Sequence, residues 1–196
     1  MSQIASFHFR SVRGRAHPLR AIWLLFVALL FIPRTGAAQG APLGPEFRVN
    51  TYTTNAQLYP DVAFDGTNFL VTWEQLFPTV TPSGSTGIVA ARVSEAGAVL
   101  GDPAGLVVSN TGKESHAPRV AFGGGRYLIA WQDTRNSDNY LDFDIYGARV
   151  STDGVLLDGP ATTGGLRITG EDSYYPRDVH VVHTGSAFLV TWAAGS

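Results

Sequence analysis

A hydrophobic pattern occurs three times along the chain, and this repeat limits the possible folds more than any other feature. Each copy runs from a proline to a tryptophan: Pro60–Trp73, Pro118–Trp131 and Pro176–Trp192. The prolines are 58 residues apart both times, but the last two tryptophans are 61 residues apart. Aligning the prolines assigns three extra residues in the third copy to positions 178–183. Regular spacing of this length indicates one supersecondary unit used several times.

Each copy contains a strand with two apolar faces. Large residues take one face, and leucine with threonine or alanine takes the other, as in Phe69-Leu-Val-Thr-Trp73, Tyr127-Leu-Ile-Ala-Trp131 and Phe188-Leu-Val-Thr-Trp192. A strand of this kind is typical of a sheet that is covered on both sides. We therefore expect the three tryptophans in the core. The alternative is an exposed platform on which a sugar would stack.

Turn residues divide a full copy into four short strands. Asp65-Gly66 and Gly123–Gly125 are typical of tight turns between neighbouring strands. Four antiparallel strands per repeat predict an all-β fold: the blades of a partial (incomplete) β-propeller, about two and a half of them. A sandwich or solenoid of hairpins is the alternative. The repeats are expected at about 47–109, 110–169 and 170–196, with Phe47–Asn50 as a short strand that belongs to an incomplete blade, so that the chain is a fragment or assembles with other chains.

The N-terminus is predicted to be a secretory signal peptide covering residues 1–38. Four arginines precede an apolar run, Ala21–Ile32, and small residues precede Gln39. The run is shorter than the roughly 20 apolar residues that a membrane span needs. We expect a signal helix, cleavage near Ala38 and a secreted, periplasmic or cell-surface protein that meets the membrane only during export; an uncleaved anchor is the alternative. Residues 39–46 are rich in Pro and Gly and predict a linker.

The net charge argues against nucleic acid as a partner, and the absence of cysteine excludes disulfide bonds. Five of the 14 basic residues and none of the 16 acidic ones lie in residues 1–38, which leaves nine basic residues, 16 acidic residues and a net charge of −7. A negative chain without basic clusters repels phosphate backbones, so nucleic acid is not an expected partner. The chain has no cysteine, and its stability therefore comes from packing or bound ions.

One acidic loop is a candidate metal site. Asp133, Asp138, Asp142 and Asp144 fall within twelve positions, and Asn and Ser lie between them. Oxygen ligands at this density suit Ca²⁺, although the spacing differs from that of the helix–loop–helix calcium motif. The alternative is a solvated loop in which Asp133 and Arg135 order a turn and Asp144 caps a strand. No other cofactor is expected.

The remaining candidate residues favour structural roles. His180 and His183 are three apart in a strand and face opposite sides, so they are expected to be surface or turn residues that share no metal. His116 stands alone and is given no role. Arg92 and Arg149 occupy matched positions, and we expect a structural role for them, such as bonding carbonyls of a neighbouring blade. No catalytic residue is predicted, because no Gly-x-Ser-x-Gly elbow is present.

Two segments of the second copy carry a family resemblance. Ile129-Ala-Trp-Gln-Asp-Thr-Arg135 and Asp144-Ile-Tyr-Gly-Ala-Arg-Val-Ser-Thr-Asp-Gly154 resemble the propeller repeats of secreted bacterial proteins and, more loosely, TolB-like blades. The resemblance extends over residues 47–196 and implies the fold but no particular activity. The first copy departs from it, because Glu74-Gln75 and Gly87-Ile88-Val89 replace Gln-Asp and Asp-Ile-Tyr.

These observations favour a secreted, non-enzymatic repeat protein that acts as a scaffold or recognition module. Its partner would be an extracellular protein or glycan, and missing blades or further copies would cover its ends. One alternative is a sialidase-like, glycan-acting hydrolase with its catalytic residues in other blades. Another is a calcium-stabilised adhesive repeat.

Overall fold

The described part of the chain contains only strands, turns and irregular segments. The computed structural model describes residues 46–52, 54–77, 85–137, 142–170 and 175–194. The predicted signal peptide, and the predicted linker except for its last residue, lie outside these ranges. Strand is the only regular structure within them, which confirms the all-β prediction. Across these residues there is no helix of the length and hydropathy that crossing a bilayer requires.

The first repeat forms one antiparallel sheet. Its strands are β1 (Gln57–Phe64), β2 (Asn68–Phe77), β3 (Ser85–Ser94), β4 (Val99–Leu100) and β5 (Leu106–Ser109). The order is β1-β2-β3-β4, and β5 also pairs with β3. β4 and β5 therefore share the fourth position of the sheet, each pairing with a different part of β3.

The second repeat follows the same plan. Its strands are β6 (Ser115–Gly123), β7 (Arg126–Asp133), β8 (Asp144–Ser151) and β9 (Leu166–Arg167), in that spatial order. A bridge between Val150 and Leu156 takes the place of β4. The third repeat contributes β10 (Pro176–His183) and β11 (Phe188–Ala194), which pair with each other. The described residues thus form two full blades and half of a third, as predicted for an incomplete propeller.

The first strands of the three blades lie side by side. β6 contacts both β1 and β10, as the innermost strands of successive propeller blades do. A hydrogen bond supports the first of these contacts, because the Val120 amide donates to Asp61 Oδ2 at 2.8 Å. The three hairpins β1–β2, β6–β7 and β10–β11 are therefore the inner part of the arc.

The core lies between the blades. Leu70, Ile88 and Ala90 of blade 1 pack in one cluster with Tyr127, Ile129 and Trp131 of blade 2, and Trp131 is fully buried. A second cluster joins Ala130 and Ile145 of blade 2 to Val190 and Trp192 of blade 3. The large-residue faces of blades 2 and 3 thus pack against the leucine-containing face of the preceding blade. This arrangement explains why both faces of the strand are apolar.

Each inner strand contains a bulge at the same place, and the bulges correct the alignment of the third repeat. One extra residue separates Leu58 from Asp61, His116 from Arg119 and Arg177 from His180, relative to the partner strand. Tyr59, Ala117 and Asp178 lie at these bulges and have positive φ angles of 52°, 48° and 52°. Asp178 follows Ala117 by 61 positions, the same offset as between the tryptophans. The extra three residues therefore precede Pro176, and the assignment to positions 178–183 is wrong. Pro176 corresponds to Ser115, because both begin the inner strand.

The strand predicted at Phe47–Asn50 is also wrong. These residues form no strand; Val49 packs against the cluster of Trp73, Val89 and Ala91 on the face of blade 1. A segment that crosses the face of a sheet has no neighbouring strand edge, so its amides find no ladder partners. The next residue, Thr51, anchors the segment by donating its amide to the Pro103 carbonyl at 2.9 Å.

Candidate functional site

A polar cluster lies where the first two blades meet, at the end of β2 and the beginning of β6. We call Glu74, Thr86, Glu114 and His116 the junction cluster. His116 Nδ1 is 3.2 Å from Glu74 Oε1, and its Nε2 is 3.5 Å from Glu114 Oε2. The Thr86 hydroxyl donates to Glu114 Oε2 at 2.7 Å. Because blade 1 supplies Glu74 and Thr86, the cluster links the two blades.

The bulge of β6 positions this histidine. The extra residue, Ala117, turns its amide out of the strand ladder and donates it to Glu74 Oε2 at 3.3 Å. Glu74 is only 4% exposed, so these donors offset part of the cost of burying its carboxylate. The Phe143 ring meets His116 edge-on, with 5.6 Å between centroids.

The surroundings favour a charged His116. Burial by itself would lower the pKa of the imidazole. The hydrogen bond and charge of Glu74, followed by the charges of Glu114 and Asp133, outweigh burial and raise the pKa above its ordinary value. A protonated imidazole can donate from both nitrogens to the two carboxylates. The arrangement can therefore hold a proton on a positioned side chain, as a general acid does.

Asp133 of the acidic loop is buried in a hydrogen-bond network. Trp131 Nε1 donates to its Oδ2 at 2.7 Å, and the Ser115 hydroxyl donates to the same oxygen at 3.0 Å. Arg135 donates from its amide, Nε and Nη2 to the two oxygens at 2.7–2.9 Å. The Arg135 guanidinium also lies 3.9 Å from the Tyr146 ring centroid. These contacts order the turn around Asp133.

Asp144 of the acidic loop has hydrogen-bond partners of its own. Asp144 accepts hydrogen bonds from Arg167, Thr169 and Asn136 at 2.8–2.9 Å. Burial would raise its pKa, but these donors and the Arg167 charge lower it. Asp142 is exposed, and Asp138 lies outside the described residues. Among the residues that the structure describes, no three His, Asp or Glu side chains are grouped as metal ligands. The four-carboxylate calcium site stays a prediction.

The two recurring arginines have different partners. Arg92 Nη1 donates to the Asp153 carbonyl of the neighbouring blade at 3.1 Å, which agrees with the role expected for it. Arg149 instead pairs with Asp158 of its own blade, with Nη2 2.5 Å from Oδ1. Arg149 thus has a structural role, as expected, but its partner is a carboxylate of its own blade and not a carbonyl of the neighbouring one. The reason is local, since blade 1 has Gly101 nine residues after Arg92, where blade 2 has Asp158 nine residues after Arg149.

The histidines of the third repeat lie away from the junction cluster. His180 is exposed, whereas the His183 ring lies against Gly123 at the end of β6. A Cβ at position 123 would come within 1.9 Å of that ring, which explains this glycine. The next two glycines, with φ of 57° and 74°, form the tight turn predicted for the hairpin. His183 is thus an inter-blade packing residue.

A cavity of about 260 Å³ opens at the opposite end of the first two blades. Its walls include Arg92, Leu100, Asp102, Leu106 and Asp153. The Arg92 Nε is buried, and no described residue accepts a hydrogen bond from it. A buried donor without an acceptor is costly, so an acceptor atom of a bound molecule would be favourable at this point. We call this feature the Arg92 cavity.

The tryptophans are core residues in the two full blades. Trp131 is fully buried and Trp73 is 5% exposed. Each indole also donates to the residue two positions later, Trp131 to Asp133 and Trp73 to Gln75, the latter at 3.2 Å. This confirms core packing over a sugar-stacking platform for these two residues.

The sequence matches no known family, and it matches no curated protein. The strand order and blade packing define the class of the protein, a β-propeller segment. Three solved structures share part of its form. An α-L-arabinofuranosidase from Lactobacillus brevis is 15% identical with a TM-score of 0.49, over 74% of this chain and 47% of that one.

The other two structures show weaker likeness. The family 117 glycoside hydrolase Zg3597 from the marine bacterium Zobellia galactanivorans is 10% identical with a TM-score of 0.45, over 69% of this chain and 49% of that one. An α-L-arabinanase from Cellvibrio cellulosa, complexed with arabinohexaose, is 12% identical with a TM-score of 0.36, over 51% and 36%. The chain therefore spans less than half the length of each. None of them supports the looser resemblance to TolB-like blades.

Proposed function

We propose that this chain is part of an exported β-propeller that acts as a non-enzymatic scaffold and recognition module. The Arg92 cavity carries the proposal, because it presents a buried guanidinium nitrogen that has no acceptor among the described residues. Elsewhere in the described blades, Asp133, Asp144 and Arg149 are engaged in contacts that hold strands together. Such contacts suit a scaffold that keeps one binding feature in place.

The chemistry of the cavity suits a hydroxyl-rich ligand such as a glycan. Arg92 offers a donor, Asp102 and Asp153 bring oxygen acceptors to the lining, and Leu100 and Leu106 provide apolar surface. A sugar has hydroxyls that donate and accept and a C–H face that packs against apolar side chains. A small set of polar groups on a partly apolar wall is the usual composition of a ligand site.

A glycan array followed by calorimetric titration of the best ligand tests this proposal. We expect Arg92→Ala to weaken binding by about tenfold or more, the equivalent of 1.4 kcal/mol. Arg177→Ala is the matched control, because Arg177 is exposed and lies outside the cavity. Unchanged affinity of the Arg92→Ala variant, or equal losses in both variants, would contradict the proposal.

The junction cluster favours a second candidate, a glycan-acting hydrolase. Glycoside hydrolysis generally uses a pair of carboxyl groups, one of them as a general acid. Glu74 and Glu114 lie on either side of His116, and the Glu114 side chain is 23% exposed, so a substrate could reach it. In this candidate other blades supply the rest of the active site.

Arabinan and arabino-oligosaccharides are suitable first substrates, since two of the similar structures carry arabinose-related names. If the hydrolase candidate holds, Glu114→Gln abolishes sugar release while Glu95→Gln, an exposed control on a turn, keeps it. Equal activity of the two variants would mean that a contaminant performs the hydrolysis, and the proposal of a non-enzymatic recognition module would then stand.

A further inference from the structure

The blades pack on one another by a rule that is used twice within the chain. At the first junction Ala63 and Leu70 pack in one cluster with Val120 and Tyr127 of the next blade. At the second junction Ala130 packs with Val190 and Trp192. Each time, the leucine-containing face of one hairpin covers the large-residue face of the following blade.

The leucine-containing face of the third hairpin is exposed. Val182 and Leu189 are 53% and 52% exposed, whereas the matching leucines Leu70 and Leu128 are 1% and 7% exposed. Val182 and Leu189 face each other across β10 and β11, so they form one continuous patch. We call Val182, Leu189 and Thr191 the trailing face.

The opposite face, at the beginning of the arc, is only partly covered. Val49 packs against Trp73, Val89 and Ala91, and these residues lie toward the middle of the sheet. The inner strand beside them is exposed, with Val62 at 53% and Phe64 at 42%. Val120, the counterpart of Val62 in blade 2, is 6% exposed. We call Val62, Phe64 and Phe69 the leading face.

We propose that the trailing face of one copy of this chain docks on the leading face of a second copy. The two faces are of the same kinds that meet at both internal junctions. The trailing face lies on the inner strands β10 and β11 and the leading face on the inner strands β1 and β2, so inner strands would meet inner strands as they do at the internal junctions. The segment with Val49 remains beside the docked hairpin and covers the outer part of the same face.

This contact is heterologous, since two different surfaces meet. Such a contact adds copies in one direction and ends in a closed ring or an open filament, whichever its rotation allows. A symmetric dimer would instead use one face twice. A heterologous contact and a symmetric dimer therefore respond differently when one face is altered in each of two variants and the variants are mixed.

Light scattering after size exclusion tests the proposal on the full chain, expressed with its own N-terminal segment. We expect concentration-dependent oligomers that Val62→Asp or Val182→Asp each weakens at least tenfold. Both positions are half-exposed, so a charge there is compatible with folding, and far-UV circular dichroism checks it. Mixing the two variants should restore pairing but stop at dimers, because one intact face of each kind remains per pair.

Val155→Asp is the control, because Val155 is 56% exposed and lies on neither face. It should associate like the unaltered chain. A monomeric unaltered chain, a mixture that does not pair, or an equal loss with Val155→Asp would each overturn the proposal.

Cross-linking gives a second measurement that needs no destabilising change. The chain contains no cysteine, so Val62→Cys in one copy and Val182→Cys in another are unique sites. A short bis-maleimide should join the mixed copies, by analogy with Ala63 and Val120 at the internal junction. A yield no higher than for Val155→Cys mixed with Val62→Cys would overturn the docking geometry.

Discussion

The ends of the second strands in blades 1 and 2 occupy matching positions but use different chemistry. Blade 1 has Trp73, Gln75 and Phe77, and blade 2 has Trp131, Asp133 and Arg135 at the same spacing. In both, the indole donates to the side chain two residues later, a neutral amide in blade 1 and a carboxylate in blade 2. Only in blade 2 does an arginine complete the network.

The difference shows what the fold requires at this point. An acceptor for the buried indole is needed in both blades, but a charge is not. A buried carboxylate is expensive unless every oxygen is satisfied, and Asp133 has five donors from Ser115, Trp131 and Arg135. The stability of variants in each blade tests whether these two hydrogen-bond networks are independent of each other.

The largest effect is expected from Trp131→Ala. The fully buried ring packs against Tyr146, with 6.5 Å between centroids, and its removal also leaves Asp133 without one donor. We expect a loss of about 3–5 kcal/mol in the free energy of unfolding. Trp73→Ala should cost less, because the face of Trp73 is covered mainly by the Val49 segment. Urea unfolding of both variants measures this, and equal losses would show that the segment packs as firmly as a blade.

Exchanging the acceptors should have the next largest effect. Asp133→Gln gives blade 2 the residue of blade 1 but leaves the Arg135 charge without its carboxylate, so we expect a loss of about 2 kcal/mol. The reverse exchange, Gln75→Asp, buries a carboxylate on the same strand face as Phe77, which stands where blade 2 has Arg135, and should also destabilise. Thermal unfolding of both variants checks this. If the Asp133→Gln variant is as stable as the unaltered chain, the ion pair with Arg135 contributes nothing beyond the acceptor for the indole.

His116→Leu should give a smaller effect that depends on pH. Blade 1 has Leu58 at this position, so the change makes the two blades alike. The pKa of His116 is raised in the folded chain, so its stabilisation is complete below the unfolded pKa and is lost as pH rises through the folded value. The melting temperature of the unaltered chain should therefore exceed that of His116→Leu most at the acidic end of a titration from pH 5.5 to 9.

The lowered pKa values of Asp144 and Asp158 affect stability in a separate range. Hydrogen bonds from Arg167 to Asp144 and from Arg149 to Asp158 are among the causes, so their stabilisation is lost only as pH falls through the folded pKa of each carboxyl. Measurements above pH 5.5 avoid this effect. If the difference in melting temperature between the unaltered chain and the His116→Leu variant does not change with pH, that result would contradict a charged His116.

The calcium site predicted for the acidic loop has the smallest expected effect on the calcium-free chain. Asp142 is exposed, so Asp142→Asn should change stability by less than about 0.5 kcal/mol without calcium. If the four carboxylates bind Ca²⁺, the ion raises the melting temperature of the unaltered chain and the variant loses that rise. Calorimetric titration that shows no heat in the unaltered chain would reject the site.

Local sequence patterns predicted the strands and turns, and the misalignment of the third repeat arose where such a pattern was misleading. Strand faces, the glycine turn and the buried tryptophans follow from periods of two and from turn chemistry, which neighbouring residues determine. Pro176 misled the alignment because it shares only its residue type with Pro118. The bulge at Asp178, a backbone feature with no side-chain signature, gives the correct alignment.

Contacts between distant residues could not be predicted from one sequence. His116 received no role because its buried partner, Glu74, lies 42 positions earlier and meets it only after the blades pack. The available signal was a departure from the repeat, histidine where the first copy has Leu58. Likewise, the partner of Arg149 depends on the path of the turn that brings Asp158 back to β8.

The bulge of the inner strands has a consequence for how these repeats can change in length. Tyr59, Ala117 and Asp178 have unrelated side chains but share one backbone conformation, so substitution there is tolerated better than removal. Deleting Ala117 would turn Ser115 and His116 to the opposite sides of the sheet, since a shift of one residue inverts a strand. Both residues would then lose their partners in one step. Insertions and deletions in this protein should therefore avoid the inner strands and accumulate in the outer loops.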